Sequence, residues 1–344
     1  MSLPVLICDD SAMARKAIAR SLPKDWDIDI SFAENGALGL DAIRQGKGDL
    51  VFLDLNMPVM DGYQVLQTIH SEDLPALVIV ISGDIQPQAH KKVRELGALD
   101  FIKKPIEEKV LINLLDTYGI YKANASHAVK DEVKAEIKGD LQNIKQDNLA
   151  LRDALQEVSN IAMGRAGDLL ARLLDVFVLL PIPYVNMIET SELQMAFTSI
   201  AHDDNVSAVS QGFISSGISG EAIIIFHDSS FTDMAKLLRH QDILAENINI
   251  EVMNDISNIL IGAFLNGLAE QLDINFNQGQ PNVLGQHCRV DDLIKDRKNH
   301  WQKTLTIEVN YGIENYNIKC DLLLLFTEDS IETLTNKIGY LLKE

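Results

Sequence analysis

The chain reads as an α/β protein in two parts. A doubly wound, parallel five-stranded N-terminal domain is followed by a helical linker and an α+β domain with an internal pseudo-two-fold repeat. Three observations predict this. Over residues 1–121, apolar runs of four to six residues alternate with helical patterns of about ten, the mark of βα units around a parallel sheet. Residues 131–151 are charged, lack Pro and hold a single Gly, which reads as helix. Beyond residue 150, two patterns return about one hundred residues apart, which signals duplication. The length, 344 residues, accommodates two or three domains.

The first domain runs in order. Residues 4–8 (Pro-Val-Leu-Ile-Cys) form an apolar strand ending in Asp9 and Asp10. A helix over 12–22 precedes a strand over 27–32 and a helix over 37–44. The strand at 50–53 ends in Asp54, and a helix follows over 62–70. The strand at 77–81 ends in Ser82 and leads to a helix over 88–96. A short strand at 101–102 leads to Lys104, and a helix over 107–118 closes the domain.

The carboxyl ends of parallel strands form the ligand crevice of such a sheet. Asp9, Asp10 and Asp54 converge there and repel one another. A hard divalent cation relieves that repulsion, and Mg²⁺ is the usual choice beside phosphate chemistry. A hydroxyl at Ser82 and an ammonium at Lys104 would hold phosphoryl oxygens at the same edge. Any one of these acids alone reads as a turn residue or a helix cap; the ordered set, at strand spacing, does not.

This segment resembles the response-regulator receiver family, the CheY-like domain, over all of residues 1–121. The resemblance implies that Asp54 is the phosphoacceptor and that Mg²⁺ sits among Asp9, Asp10, Asp54 and the Asn56 carbonyl. It also implies that Ser82 and Lys104 contact the phosphoryl group and that Phe101 is the switch aromatic. Ser82 stands where Thr is commoner and Phe101 where Tyr is commoner.

Residues 122–150 form the linker. Val129, Val133, Ile137, Leu141, Ile144, Leu151, Leu155 and Val158 recur at three, four or seven, one apolar stripe on a helix. It fits a helix packed on its own domains or the seam of a homodimer.

The last domain, 151–344, divides into repeats of about 151–240 and 248–344. Ile-Ile-Phe-His-Asp-Ser-Ser-Phe, 224–231, returns as Leu-Leu-Phe-Thr-Glu-Asp-Ser-Ile, 324–331, each a strand running into a capped helix. Asp153, Glu157, Asn160 and Gly164 return as Glu251, Asp255, Asn258 and Gly262, and in both copies a Pro (183, 281) falls 23 residues after the Asn. Positions i, i+4 and i+7 share one helix face, so each copy displays two carboxylates and a carboxamide while Leu155, Val158 and Ile161 lie elsewhere. Acids on one helix are ordinarily a solvated face. Doubled and paired with Asn, they suit a different chemistry. A carboxamide can orient one water, and a carboxylate can pair with a partner's lysine. Together they suit in-line attack on a phosphoryl group.

This domain resembles the CheC/CheX/FliY phosphatase family over about residues 145–344. The resemblance implies hydrolysis of the aspartyl phosphate of a CheY-type receiver. Asn160 and Asn258 would orient water, and Glu157 and Asp255 would pair with the receiver's lysine. Asp255 stands where Glu is expected, and the lost methylene makes site two the weaker. The expected partners are a histidine kinase, a phosphorylated CheY-type receiver and a CheD-like protein. The alternatives are a docking module or phosphate sink that binds a receiver, a CheD-like partner or a flagellar switch protein, and action in cis, with Asn160 resetting the chain's own Asp54.

Charge and composition bound these readings. Lys and Arg number 30 against 50 Asp and Glu, a net charge of −20, which disfavours nucleic acid and anionic membrane as partners. Three cysteines without a C-x-x-C pair fit a reducing compartment, so a cytoplasmic location is expected. The histidines make no spaced metal-ligand set.

Overall fold

The computed structural model describes residues 2–121, 143–189, 205–239, 248–289 and 303–341. The chain divides into two compact units. One holds Met1–Ser82 with Arg94–Ala154, the other Gly83–Val93 with Leu155–Glu344.

The first unit is built on a five-stranded parallel sheet of order β2-β1-β3-β4-β5. Its strands are β1 (Leu3–Cys8), β2 (Ile28–Ala33), β3 (Leu50–Leu53), β4 (Leu77–Ser82) and β5 (Asp100–Lys103). Its helices are α1 (Ala12–Ser21), α2 (Gly36–Arg44), α3 (Gly62–Ser71) and α5 (Glu108–Thr117); in sequence α4 (Pro87–Glu95) follows β4, and its residues up to Val93 belong to the other unit. Central strands are continuous apolar runs because both faces of a parallel sheet are covered. Val5, Ile7, Phe52, Ile79 and Ile81 pack with Ile18, Leu111 and Leu115 in one core. Side-chain caps fix where helices start: Ser11 accepts from Ala14, Asn35 from Leu38, and Asp61 forms a capping box with Gln64.

The second unit holds an eight-stranded antiparallel sheet with the order β10-β8-β9-β13-β12-β6, in which β11 also pairs with β8 and β7 with β12. The elements are α6 (Asn143–Leu174, which belongs to this unit from Leu155 on), β6 (Val178–Leu179), β7 (Tyr184–Glu189), β8 (Val206–Ser215), β9 (Ile218–His227) and α7 (Phe231–Leu237). Their counterparts are α8 (Ile248–Leu272), β10 (Asn277–Gln278), β11 (Asn282–Cys288), β12 (Lys303–Ile313), β13 (Lys319–Phe326) and α9 (Glu328–Leu341). Among the described residues, each half thus runs helix, short strand, strand, long hairpin, helix. Pro183 and Pro281 each stand just before the outer strand of their half.

The register carries the two-fold. Sequence equivalents in the β9 and β13 region lie one hundred residues apart, and Ile223 pairs with its own equivalent Leu323. Hydrogen bonds repeat about that pair. The Ser230 hydroxyl accepts from the Lys319 amide, and the Ser330 hydroxyl accepts from Ser219, the residue equivalent to Lys319.

α6 is continuous across residue 150, and the linker over 122–142 lies outside the described residues, with most of its apolar stripe. Among the described residues, α8 alone is long and apolar enough to cross a membrane by length and composition. Its apolar residues form a core face in this fold: Val252, Ile256, Leu260, Phe264 and Leu268 are buried.

Candidate functional site

Two constellations are built, one per unit. In the first, β1 and β3 deliver acids to one sheet edge. Asp9 and Asp54 are buried and Asp10 half-buried, and one ligand oxygen from each lies within 4.8 Å of the others. The loops hold these carboxylates. The Ser11 amide donates to Asp9 Oδ1 at 2.9 Å, and the Asn56 amide donates to Asp54 Oδ2 at 3.1 Å. Gly62 is required here, since a Cβ would overlap the Asp54 carbonyl oxygen. Lys104, also buried, places Nζ 2.8 Å from Asp9 Oδ2 and 3.4 Å from Asp54 Oδ1. Its amide donates to the Ser82 carbonyl, which brings the ends of β4 and β5 to the same edge. Ser82 is buried, Asn56 nearly so and Phe101 half-buried on β5.

Three carboxylates and one ammonium leave net negative charge in a buried place. Octahedral Mg²⁺ sets its oxygen ligands about 3–4 Å apart, so this hard-oxygen set fits the ion with small adjustment. Burial pushes the neighbouring Cys8 thiol up to about 12, so that no fourth anion joins the three. Arg15 was not picked out from sequence, yet it braces the acidic loop: its guanidinium donates to the carbonyls of Asp9 at 2.7 Å and Asp10 at 3.0 Å. A cation one turn into the helix after Asp-Asp was the available signal.

In the second unit, the two motif helices differ in surroundings. On α6, Glu157 is 6% and Asn160 3% exposed, so these two members of the stripe, expected on display, are buried. Gly83 lies against it: a Cβ there would stand 3.1 Å from the Asn160 carbonyl oxygen and 3.2 Å from Ile161 Cα. Gly164 leaves no room either, since a Cβ would overlap the Gly83 carbonyl. On α8, Glu251, Asp255 and Asn258 are exposed. A Cβ on Gly262 would meet nothing nearer than Gln278 Oε1, at 3.8 Å. α6 and α8 touch at Ala162 and Gly267, and an Arg165–Glu270 ion pair joins them.

A third cluster was not visible in the sequence because it forms across an irregular pairing of β8 with β11. Ser207 Oγ donates to Asp228 Oδ1 at 2.9 Å, and His287 Nδ1 lies 2.7 Å from Asp228 Oδ2. A hydrolytic triad needs the serine on the imidazole. Here the serine is on the aspartate, and His287 Nε2 faces Asn249 at 3.4 Å.

Residues 5–116 match the response regulator receiver domain family. The chain is 31% identical over 165 residues to protein-glutamate methylesterase/protein-glutamine glutaminase 3 of Geobacter sulfurreducens, covering 47% of this chain and 40% of that protein. It is 36% identical over 138 residues to the protein-glutamate methylesterase/protein-glutamine glutaminase of Desulfotalea psychrophila, covering 39% and 35%. The chain therefore spans well under half the length of these curated relatives. Among solved structures, Thermotoga maritima FliY aligns at 18% identity over 55% of this chain and 96% of its own, with a TM-score of 0.41. The response regulator domain of Thermotoga maritima CheB aligns at 26% identity over 34% of this chain and 93% of its own, with a TM-score of 0.30. The N-terminal domain is a response regulator receiver domain of two-component signalling.

Proposed function

We propose that this receiver-bearing chain is a chemotaxis response regulator. Asp54 would take a phosphoryl group from a histidine kinase, and the C-terminal domain would hydrolyse the aspartyl phosphate of a CheY-type receiver. The relatives named as protein-glutamate methylesterases favour a chemotaxis setting. The observation that carries the phosphatase reading is the pairing of carboxylate and carboxamide at i and i+3 on both symmetry-related helices, Glu157 with Asn160 and Asp255 with Asn258.

In the receiver, Asp9, Asp10, Asp54 and the Asn56 carbonyl would hold Mg²⁺, which supplies charge neutralisation to the phosphoryl oxygens. Lys104 and Ser82 take the remaining oxygens, and Phe101 reports occupancy of the edge to β5. In the phosphatase helices, the Asn carboxamide accepts from and donates to one water and holds it in line with the phosphorus. The carboxylate one turn earlier pairs with the substrate's active-site lysine. Asp255 reaches one methylene less than Glu157, so site two is the slower. The net charge of −20 suits protein partners over nucleic acid. A cytoplasmic home, CheD-like partners and a homodimer through the linker belong to the same reading.

The testing experiment mixes phosphorylated CheY-type receiver with substoichiometric chain. Faster loss of label with multiple turnovers is expected; stoichiometric binding without turnover would favour the docking or phosphate-sink alternative.

A further inference from the structure

The first amides of an α-helix find no partner inside the helix. In α1, which begins just after Asp9 and Asp10, each of them is met. The Ser11 amide donates to Asp9 Oδ1 at 2.9 Å, and the Ala14 amide donates to Ser11 Oγ at 3.1 Å. The Arg15 amide makes the first intrahelical bond, to the Ser11 carbonyl at 3.0 Å. Ala12 and Met13 are met from 141 and 140 residues along the chain. Asp153, in the part of α6 that belongs to the first unit, gives one carboxylate oxygen to each. Its Oδ1 accepts from Ala12 at 3.2 Å and its Oδ2 from Met13 at 2.9 Å. A carboxylate suits this place, because the amides at a helix start carry partial positive charge. The carbonyls of the same stretch are held as well, those of Asp9 and Asp10 by the half-buried Arg15 guanidinium. The doubled pattern places Asp153 in the acid–Asn stripe, where its equivalent Glu251 is exposed. Asp153 is half-buried and engaged with α1 instead.

We propose that Asp153 and Arg15 are positioning residues for the Mg²⁺ site of Asp9, Asp10 and Asp54. Together they clamp the Asp9–Asp10 turn in ligating geometry, Asp153 through the amides that follow it and Arg15 through its carbonyls. The proposal rests on the Mg²⁺ reading above and assigns the first acid of motif one to the receiver. A turn that orders only when the ion arrives loses that entropy from the binding free energy. A turn already fixed by these hydrogen bonds does not. Groups that orient metal ligands without touching the metal tune affinity in this way. The charges of the pair supply a check on the mechanism. Asp153 is an anion and Arg15 a cation. Acting through charge alone, their removal would move Mg²⁺ affinity in opposite directions. Acting through position, both removals weaken it.

The test titrates the full chain with Mg²⁺ alone in a calorimeter, without phosphodonor, and counts the signal that Asp54→Asn removes. Asp153→Ala and Arg15→Ala should each weaken binding about 10-fold, the low end for groups that orient metal ligands. Asp153→Asn drops the charge but keeps an acceptor oxygen, and it should recover part of the loss. The half-saturating Mg²⁺ for labelling Asp54 from acetyl phosphate should rise by the same factor, while the rate at saturating Mg²⁺ returns to that of wild type. Loss of the saturating rate with no shift in the Mg²⁺ midpoint would assign the two residues to stability alone and overturn the proposal. Tighter binding by Arg15→Ala would overturn it in favour of charge, as would an Asp153→Asn variant no better than Asp153→Ala. Unchanged affinity in both alanine variants would overturn the clamp and leave the Mg²⁺ reading standing. A wild-type chain that binds no Mg²⁺ would overturn both.

Discussion

α6 and α8 carry one pattern in one fold position and meet opposite surroundings. Glu157 and Asn160 are buried, and Gly83 lies against the backbone at Asn160 and Ile161; Asp255 and Asn258 are exposed. Duplication copied the helix but not its neighbours. What a carboxylate–carboxamide stripe can do is therefore set by what is allowed to approach it. The glycines show this most simply: Gly164 is required by a backbone pressed against it, while Gly262 stands in nearly open space.

The strongest way to break the comparison is to remove the phosphoacceptor. Asp54→Asn should abolish labelling by acetyl phosphate altogether, while hydrolysis of foreign phospho-CheY at the exposed α8 copy continues. Loss of both would tie α8 to the receiver.

Thiol accessibility gives the next largest contrast. Asn258→Cys should be alkylated quickly, and Asn160→Cys should lag by tenfold or more, on the order of the difference between exposed and buried thiols. Two of the three native thiols, Cys8 and Cys320, are buried and quiet, and half-buried Cys288 is a background common to both variants. Burial raises the Cys8 thiol to about 12 and the Cys320 thiol higher still. At pH 8, well below both values, the reactive thiolate is a minute fraction, and reactivity of native Cys8 should rise only as pH approaches about 12. Rapid labelling of Cys8 by mass spectrometry at pH 8 would contradict the burial of that strand edge.

The glycine pair should separate in stability. Gly164→Ala forces a Cβ into the Gly83 carbonyl and should cost about 1–3 kcal/mol. Gly262→Ala removes a helix-interior glycine and should be neutral or stabilise by up to about 1 kcal/mol. Thermal melts of the two variants should therefore move in opposite directions or differ by several degrees.

The smallest contrast lies at the first acids. Asp153→Ala removes a carboxylate from the N-terminal amides of α1 and should cost about 1 kcal/mol. Glu251→Ala, at the exposed equivalent, should stay within about 0.5 kcal/mol. Chemical denaturation checks both.

Much of this was legible in the sequence. Buried parallel strands are apolar runs, so β1, β3 and β4 announce themselves and place Asp9, Asp54 and Ser82 at one edge. The hundred-residue return of 224–231 fixes the repeat, and its register at Ile223 and Leu323 follows from antiparallel symmetry. The burial of Glu157 and Asn160 was not legible. Helical spacing tells which residues share a face, never what lies on it, and the Gly83 backbone that meets the helix at Asn160 and Ile161 comes from more than seventy positions away. The Ser207–Asp228–His287 cluster was hidden for a similar reason, since it depends on register shifts between β8 and β11.

The central claim is that the doubled acid–Asn helices hydrolyse aspartyl phosphate. The most direct measurement is inorganic phosphate released from phosphorylated CheY-type receiver by substoichiometric wild-type chain and by an Asn160→Ala, Asn258→Ala double variant. The account predicts many turnovers per wild-type chain and the spontaneous rate for the double variant. Equal release by the two proteins would contradict it.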